Sequence, residues 1–167
     1  QLYYGELKID QNNFKDAISI FEKIYIKDKN FQNIIMKLAN TYSILGNFEK
    51  AEEYFSLVSK KIPELFAADY RLSNIINYSE RNEHQKIILE KIKNKKFDKF
   101  NKYPLLFAAA KSYEDQKDYE NAFKYIDIAN KERNKLAPND PLKYEKYFLS
   151  KNKEIFSNIE IDESITN

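Results

Sequence analysis

The sequence predicts an all-α fold, a stack of about four helix pairs. Three observations predict it. Core-type residues recur every 34 positions along much of the chain. Glycine and proline number only two and four in 167 residues, while Lys, Glu, Ile, Leu and Phe are abundant, which favours long helices over a turn-rich β fold. Small residues recur in phase with the large ones, as close crossings of paired helices require.

The period can be followed residue by residue. Gly5, Phe14, Ala17, Phe21 and Ile24 are each followed 34 positions later by Ala39, Phe48, Ala51, Phe55 and Val58. The same step carries Leu38 to Leu72, Tyr42 to Ile76, Phe55 to Leu89 and Val58 to Ile92. The last step is 37: Ser73 leads to Ala110, Leu89 to Ile126 and Ile92 to Ala129, with the three extra residues placed in the Lys-rich connection before Tyr103. Repeats are thus expected at about 1–31, 32–65, 66–102 and 103–136.

Helices follow in order near 2–11, 14–28, 31–45, 48–61, 65–79, 83–95, 104–116 and 119–136. A ninth, at 141–157, opens on Asp140-Pro141, a capping carboxylate followed by a first-turn proline. It is expected to bury Tyr144, Phe148 and Phe156 and to cap the stack, which completes a domain over 1–157. Residues 158–167 are acidic and unpatterned and read as a linker or tail. The chain opens at Gln1 without Met, which points to a piece of a longer protein.

The physical logic of the pattern is close packing. Ala39, Ala51, Ala110 and Ala122 sit at expected helix crossings, and Tyr42, Phe55 and Tyr113 fill the space between pairs. Gly46 is placed to close its helix in a left-handed conformation. In its second copy, LANTYSILGNFEKAEEYFSLVSKKIP, the chain resembles the tetratricopeptide repeat through Leu38, Ala39, Tyr42, Gly46, Phe48, Ala51, Phe55, Val58 and Pro63. The fourth copy supplies Leu106, Ala109, Ala110, Tyr113, Tyr119, Ala122, Ile126 and Ala129. The third departs most, with Gln85 where Ala is expected and Glu80 where Gly would be. The resemblance implies a right-handed α-solenoid.

A second resemblance covers about residues 85–157. Ala110-Lys111, Tyr113-Glu114-Asp115, Asp118-Tyr119, Ala122-Phe123 and Ala129-Asn130 look like the last repeat before the catalytic domain of bacterial proteins that join tetratricopeptide repeats to a sulfotransferase. It implies a regulatory or recruiting arm whose chemistry lies beyond Asn167. The phosphate-binding loop such a domain needs is not in this sequence, since Gly5 and Gly46 are both explained by the repeat.

Catalysis within the chain fails on inventory. There is no cysteine, and the one histidine, His84, is expected in a solvated polar turn. Glu49-Lys50, Glu52-Glu53 and Glu114-Asp115 read as solvated helix charges. No catalytic, metal or cofactor site is expected. A net charge of +2 gives no strong field for nucleic acid or an anionic membrane. The stretch Lys91–Lys102 holds six lysines against one Asp and no Arg, and reads as a solvated helix end rather than a nucleic-acid surface. The longest apolar run, Leu105–Ala110, is far too short to span a bilayer. A cytoplasmic setting is expected. Lys outnumbers Arg 25 to 3 and Asn and Ile are also abundant, so many lysines and asparagines can reflect an A/T-rich genome rather than a binding surface.

The functional expectation is therefore a protein-interaction scaffold that holds a peptide, a partner domain or its own downstream domain. The resemblance places the groove on the first helix of each pair. Its lining would be Asn33, Lys37, Asn40 and Ile44 in the second repeat, Tyr70, Arg71, Asn74, Asn77 and Tyr78 in the third, and Phe107, Lys111 and Glu114 in the fourth. Asn amides can pair with a peptide's N–H and C=O together, and Lys37 or Arg71 can neutralise a carboxylate. The carboxylate clamp of chaperone-binding relatives is largely unmatched.

Overall fold

Apolar side chains at helical spacing leave each helix one face to bury, and the chain satisfies this by pairing helices. In the computed structural model, residues 1–29 and 31–135 are described, and the expected cap at 141–157 and tail at 158–167 lie outside them. The helices are α1 (Leu2–Asp10), α2 (Phe14–Lys27), α3 (Gln32–Ile44), α4 (Phe48–Lys61), α5 (Phe66–Ser73), α6 (Glu83–Lys93), α7 (Tyr103–Asp115) and α8 (Tyr119–Asn134). The described residues contain no strand. Residues Gln1–Glu132 form one compact unit; a second begins at Arg133 and lies almost wholly outside the described residues.

Within the first unit α1 packs on α2, α2 on α3, α3 on α4, α4 on α5, and α7 on both α5 and α6. The core runs through these contacts without a break. It takes Ala17 and Phe21 from α2, Leu38 and Ala39 from α3, Ala51, Phe55 and Val58 from α4, and Leu105 and Ala109 from α7. The alanines expected at crossings, Ala39, Ala51, Ala110 and Ala122, are all buried.

The turns inside the pairs repeat one device. Asn12, Gly46 and Lys117 all adopt positive φ, at 59°, 79° and 63°. After each, the next N–H reaches back to a carbonyl five residues earlier: Asn13 to Lys8, Asn47 to Tyr42 and Asp118 to Tyr113, at 2.8, 2.9 and 2.9 Å. This closes the ends of α1, α3 and α7 in the Schellman manner. The following helix is then capped by a side chain in two cases. Asn47 Oδ1 accepts from the Lys50 N–H and Asp118 Oδ1 from the Asn121 N–H.

The third repeat departs from the sequence expectation. A helix expected over 65–79 ends at Ser73. Asn77 Oδ1 accepts from the N–H and hydroxyl of Ser79, a local turn that competes with helix. Tyr78 is drawn inward, its N–H held by Asp115 Oδ2 at 3.1 Å and its carbonyl by Gln116 Nε2 at 3.3 Å. Gln85, at the position of a crossing alanine, is buried and exchanges hydrogen bonds with Gln116. The three extra residues of the longer step fall at a 3-10 turn, Lys95–Phe97, which buries Phe97 edge-on against Phe66 at 5.5 Å.

Candidate functional site

The expected groove residues divide sharply by environment. Asn33 is exposed on the first turn of α3, and Asn40 is half-buried further along it. Lys37 is half-buried and pairs with Glu6 on α1 at 2.5 Å. Ile44 is exposed at the helix end. On α5, Tyr70 and Arg71 are exposed, and Asn74 is exposed just past its end. The Tyr70 ring lies 6.2 Å from Phe107 on α7, whose ring meets Tyr103 edge-on at 6.1 Å. Lys111 pairs with Asp115 one turn on, and Glu114 is exposed.

Two of the expected lining residues do not fit. Tyr78 is 2% exposed, so it belongs to the core, because the turn that replaces the end of α5 carries it inward. Asn77 is exposed but sits in that same turn, donating to Glu80 at 2.8 Å. Asp115 is also no simple solvated charge, since it holds both Lys111 and the Tyr78 N–H.

A second site was hidden from the sequence reading. Asp69 on α5 is fully buried. It accepts from the Ser59 hydroxyl on α4 at 2.6 Å, from Lys91 Nζ on α6 at 2.8 Å, and lies 3.3 Å from His84 Nε2. Lys91 Nζ also donates to Ser59 Oγ at 2.9 Å. The far side of the His84 ring, Nδ1, lies 2.6 Å from the Tyr78 hydroxyl. His84 is therefore buried and bonded at both nitrogens, not solvated, and Lys91 is buried although its neighbours form an exposed basic stretch. Both corrections have one cause: a buried carboxylate needs charged and hydrogen-bonding partners. Burial would raise the Asp69 carboxyl, but the His84 bond, the Lys91 charge and the Lys91 and Ser59 bonds outweigh it and hold the group below its usual range. Burial, with the charges of Asp69 and Asp115, pushes the Tyr78 phenol up, so it stays protonated.

Above this cluster a cavity of about 600 Å³ opens between α4 and α6. Leu72, Ile76, Ile87 and Pro63 give it apolar walls, with Ser59, His84 and Lys91 on the same lining. Glu52 and Arg81, paired at 2.5 Å, stand on its exposed side. The cluster has no nucleophile beside a free base: each ring nitrogen of His84 is already engaged. Among the described residues no group of three or more His, Cys, Asp or Glu could hold a metal ion. No helix among them is long and apolar enough to cross a membrane.

The signal that could have found this cluster lies in the repeat register. Asp69 stands where the neighbouring repeats have Ile35 and Leu106, and Lys91 where they have Leu57 and Ile128. Two charges at apolar register positions of one repeat imply a buried pair.

Comparison with known proteins agrees with this architecture. The fold is tetratricopeptide-like. A family model described as "Tetratricopeptide repeat" matches residues 8–71, the span of α2, α3, α4 and most of α5. A structure of MamA designated MSR-1 superposes with a TM-score of 0.62 at 18% identity, covering 81% of this chain and 76% of that one. MamA designated AMB-1 gives TM-scores of 0.61 and 0.59 in two crystal forms, again at 18% identity, covering 78% of this chain and 69% and 75% of theirs. At that identity the likeness speaks for the tetratricopeptide fold and not for a shared ligand. No curated protein sequence matches the chain significantly.

Proposed function

We propose that the chain is a non-catalytic protein-interaction scaffold that binds an extended protein segment or a partner domain along the faces of α3, α5 and α7. The observation that carries this is the exposed Tyr70 beside Phe107, in register with each other across the 37-residue step and flanked by Arg71 and Asn74. Aromatic rings give a partner apolar area, and amides give it backbone hydrogen bonds whatever its sequence. Asn33, Lys37 and Asn40 would extend the surface along α3, and Lys111 along α7. Tyr78 is left out because it is buried, and Asn77 because its turn occupies it. Repeats at about 1–31, 32–65, 66–102 and 103–136, with a cap at 141–157, would give this surface its length. A cytoplasmic setting is part of the reading.

The test is cross-linking of captured partners to the wild type and to a Tyr70→Ala/Asn74→Ala variant, with cross-linked peptides mapped by mass spectrometry. Cross-links on α3, α5 and α7 that vanish in the variant support the reading. Equal recovery of every partner removes the surface from consideration. The sulfotransferase-arm alternative rests on the sequence resemblance of about residues 85–157. A phosphate-binding loop encoded shortly after Asn167 would support it.

A further inference from the structure

The α4–α6 cavity has a counterpart one repeat earlier, and the counterpart is filled. At the junction of α2, α3 and α4, Tyr54 stacks on Tyr42 with ring centres 5.8 Å apart and planes 8° from parallel. Tyr25 meets Tyr54 edge-on, also at 5.8 Å. The Tyr42 hydroxyl donates to Glu22 at 2.5 Å. Moving 34 residues on, Tyr25, Tyr42 and Tyr54 become Ser59, Ile76 and Ile88, and Glu22 becomes Ser56. Ser56, Ser59 and Ile76 all line the cavity of about 600 Å³. In the fourth repeat the rings return: Tyr113 and Tyr125, each 37 residues beyond Ile76 and Ile88, stack at 5.5 Å and 11°.

The repeats on either side thus hold a stacked pair of rings where the third repeat holds two isoleucines, and the second repeat adds Tyr25 where the third has Ser59 and the fourth Lys96. The buried polar groups beneath are already bonded to one another, Lys91 with Asp69 and Ser59, and His84 with Asp69 and Tyr78. They ask no charge of an occupant. The size falls within the roughly 300–1,000 Å³ of small-molecule sites, which combine apolar walls with a few polar groups.

We propose that this cavity binds a small, uncharged, planar aromatic molecule bearing a hydroxyl, its ring taking the register position of Tyr42 and its hydroxyl that of the Tyr42–Glu22 bond, toward Ser56. The site is independent of the partner surface proposed above, so either can fail alone.

The experiment uses the whole chain and 2-naphthol as probe, followed by saturation-transfer NMR and by amide shifts in a titration. Saturable binding with shifts centred on Ser56, Ile76 and Ile87 is expected. Two variants fill the cavity. Ile76→Tyr refills the interior, and Ser56→Tyr plugs the mouth from an exposed position that does not burden folding. Circular dichroism checks that each variant is folded. Each folded variant is expected to weaken binding by roughly tenfold or more. Absence of saturable binding to the wild type overturns the proposal, as does undiminished binding in either folded variant. Binding of N-acetyltyrosinamide without binding of 2-naphthol also overturns it, in favour of a partner's tyrosine side chain.

Discussion

Gly5 and Gly46 are the only glycines in the chain, and different physics holds each in place. A Cβ built at Gly5 falls against the buried Phe21 ring, with Cδ1 and Cζ both 2.9 Å away. Gly46 has open space around it but a φ of +79°. Gly5→Ala would gain helix propensity yet is expected to destabilise by about 1–3 kcal/mol through overpacking, whereas Gly46→Ala is expected to cost about 1–2 kcal/mol through backbone strain alone. Urea midpoints compare the two. The Asp69–Lys91 pair invites a double-mutant cycle. Lys91→Leu leaves a buried carboxylate short of its cation, and such single breaks cost about 3–5 kcal/mol. The double variant Asp69→Leu/Lys91→Leu is expected to recover most of that loss, because the same register positions elsewhere are Ile35, Leu106, Leu57 and Ile128. If the double variant is as unstable as the single ones, the pair contributes something beyond mutual neutralisation.

At the scale of elements, the left-handed turn that ends α1, α3 and α7 makes an uneven demand on three residues. Gly46 adopts it freely, Asn12 tolerates it and Lys117 is strained. Lys117→Gly is expected to stabilise by about 0.5–1 kcal/mol, the left-handed strain relieved less the extra chain entropy of glycine. Thermal denaturation reads this directly, and an unchanged or lower midpoint counts against it. These helices were legible in the sequence because a repeat writes each decision several times. Ala39, Ala51, Ala110 and Ala122 mark crossings, and Gly46 marks a turn. The early end of α5 was not legible. No Gly or Pro stands near Ser73, and the cause is distant: Asp115 and Gln116, far along the chain, hold Tyr78. His84 and Lys91 were misjudged for the same reason, since their burial depends on Asp69, 15 and 22 positions away. The exposed groove residues were found only as far as register predicts exposure, which fails at Tyr78 because the helix beneath it has ended.

Across the whole molecule, stability in such a stack is a sum of neighbour contacts, so its weakest junction governs how it comes apart. One such contact, among α4, α5 and α6, is held through the Asp69 cluster. The Asp69 carboxyl lies below its ordinary value near 3.8 in the folded chain. A depressed folded value contributes stability that is complete above the unfolded value and is lost as pH falls through the folded one. Urea midpoints are therefore expected to hold from neutral pH down to about 4 and to drop below it. The drop should be shallower in Asp69→Leu/Lys91→Leu. An equal acid-side slope in both proteins would place the acid-sensitive contact elsewhere.

The face-to-face tyrosines carry a consequence for observation. The chain has thirteen tyrosines and no tryptophan, so its near-ultraviolet absorption belongs almost entirely to phenol chromophores. Tyr42 with Tyr54, and Tyr113 with Tyr125, hold near-parallel rings under 6 Å apart, close enough for their excitations to mix. The second and fourth repeats therefore each carry a built-in exciton reporter. Replacing one pair by phenylalanine silences that repeat, and the remaining circular-dichroism band then follows the melting of the other.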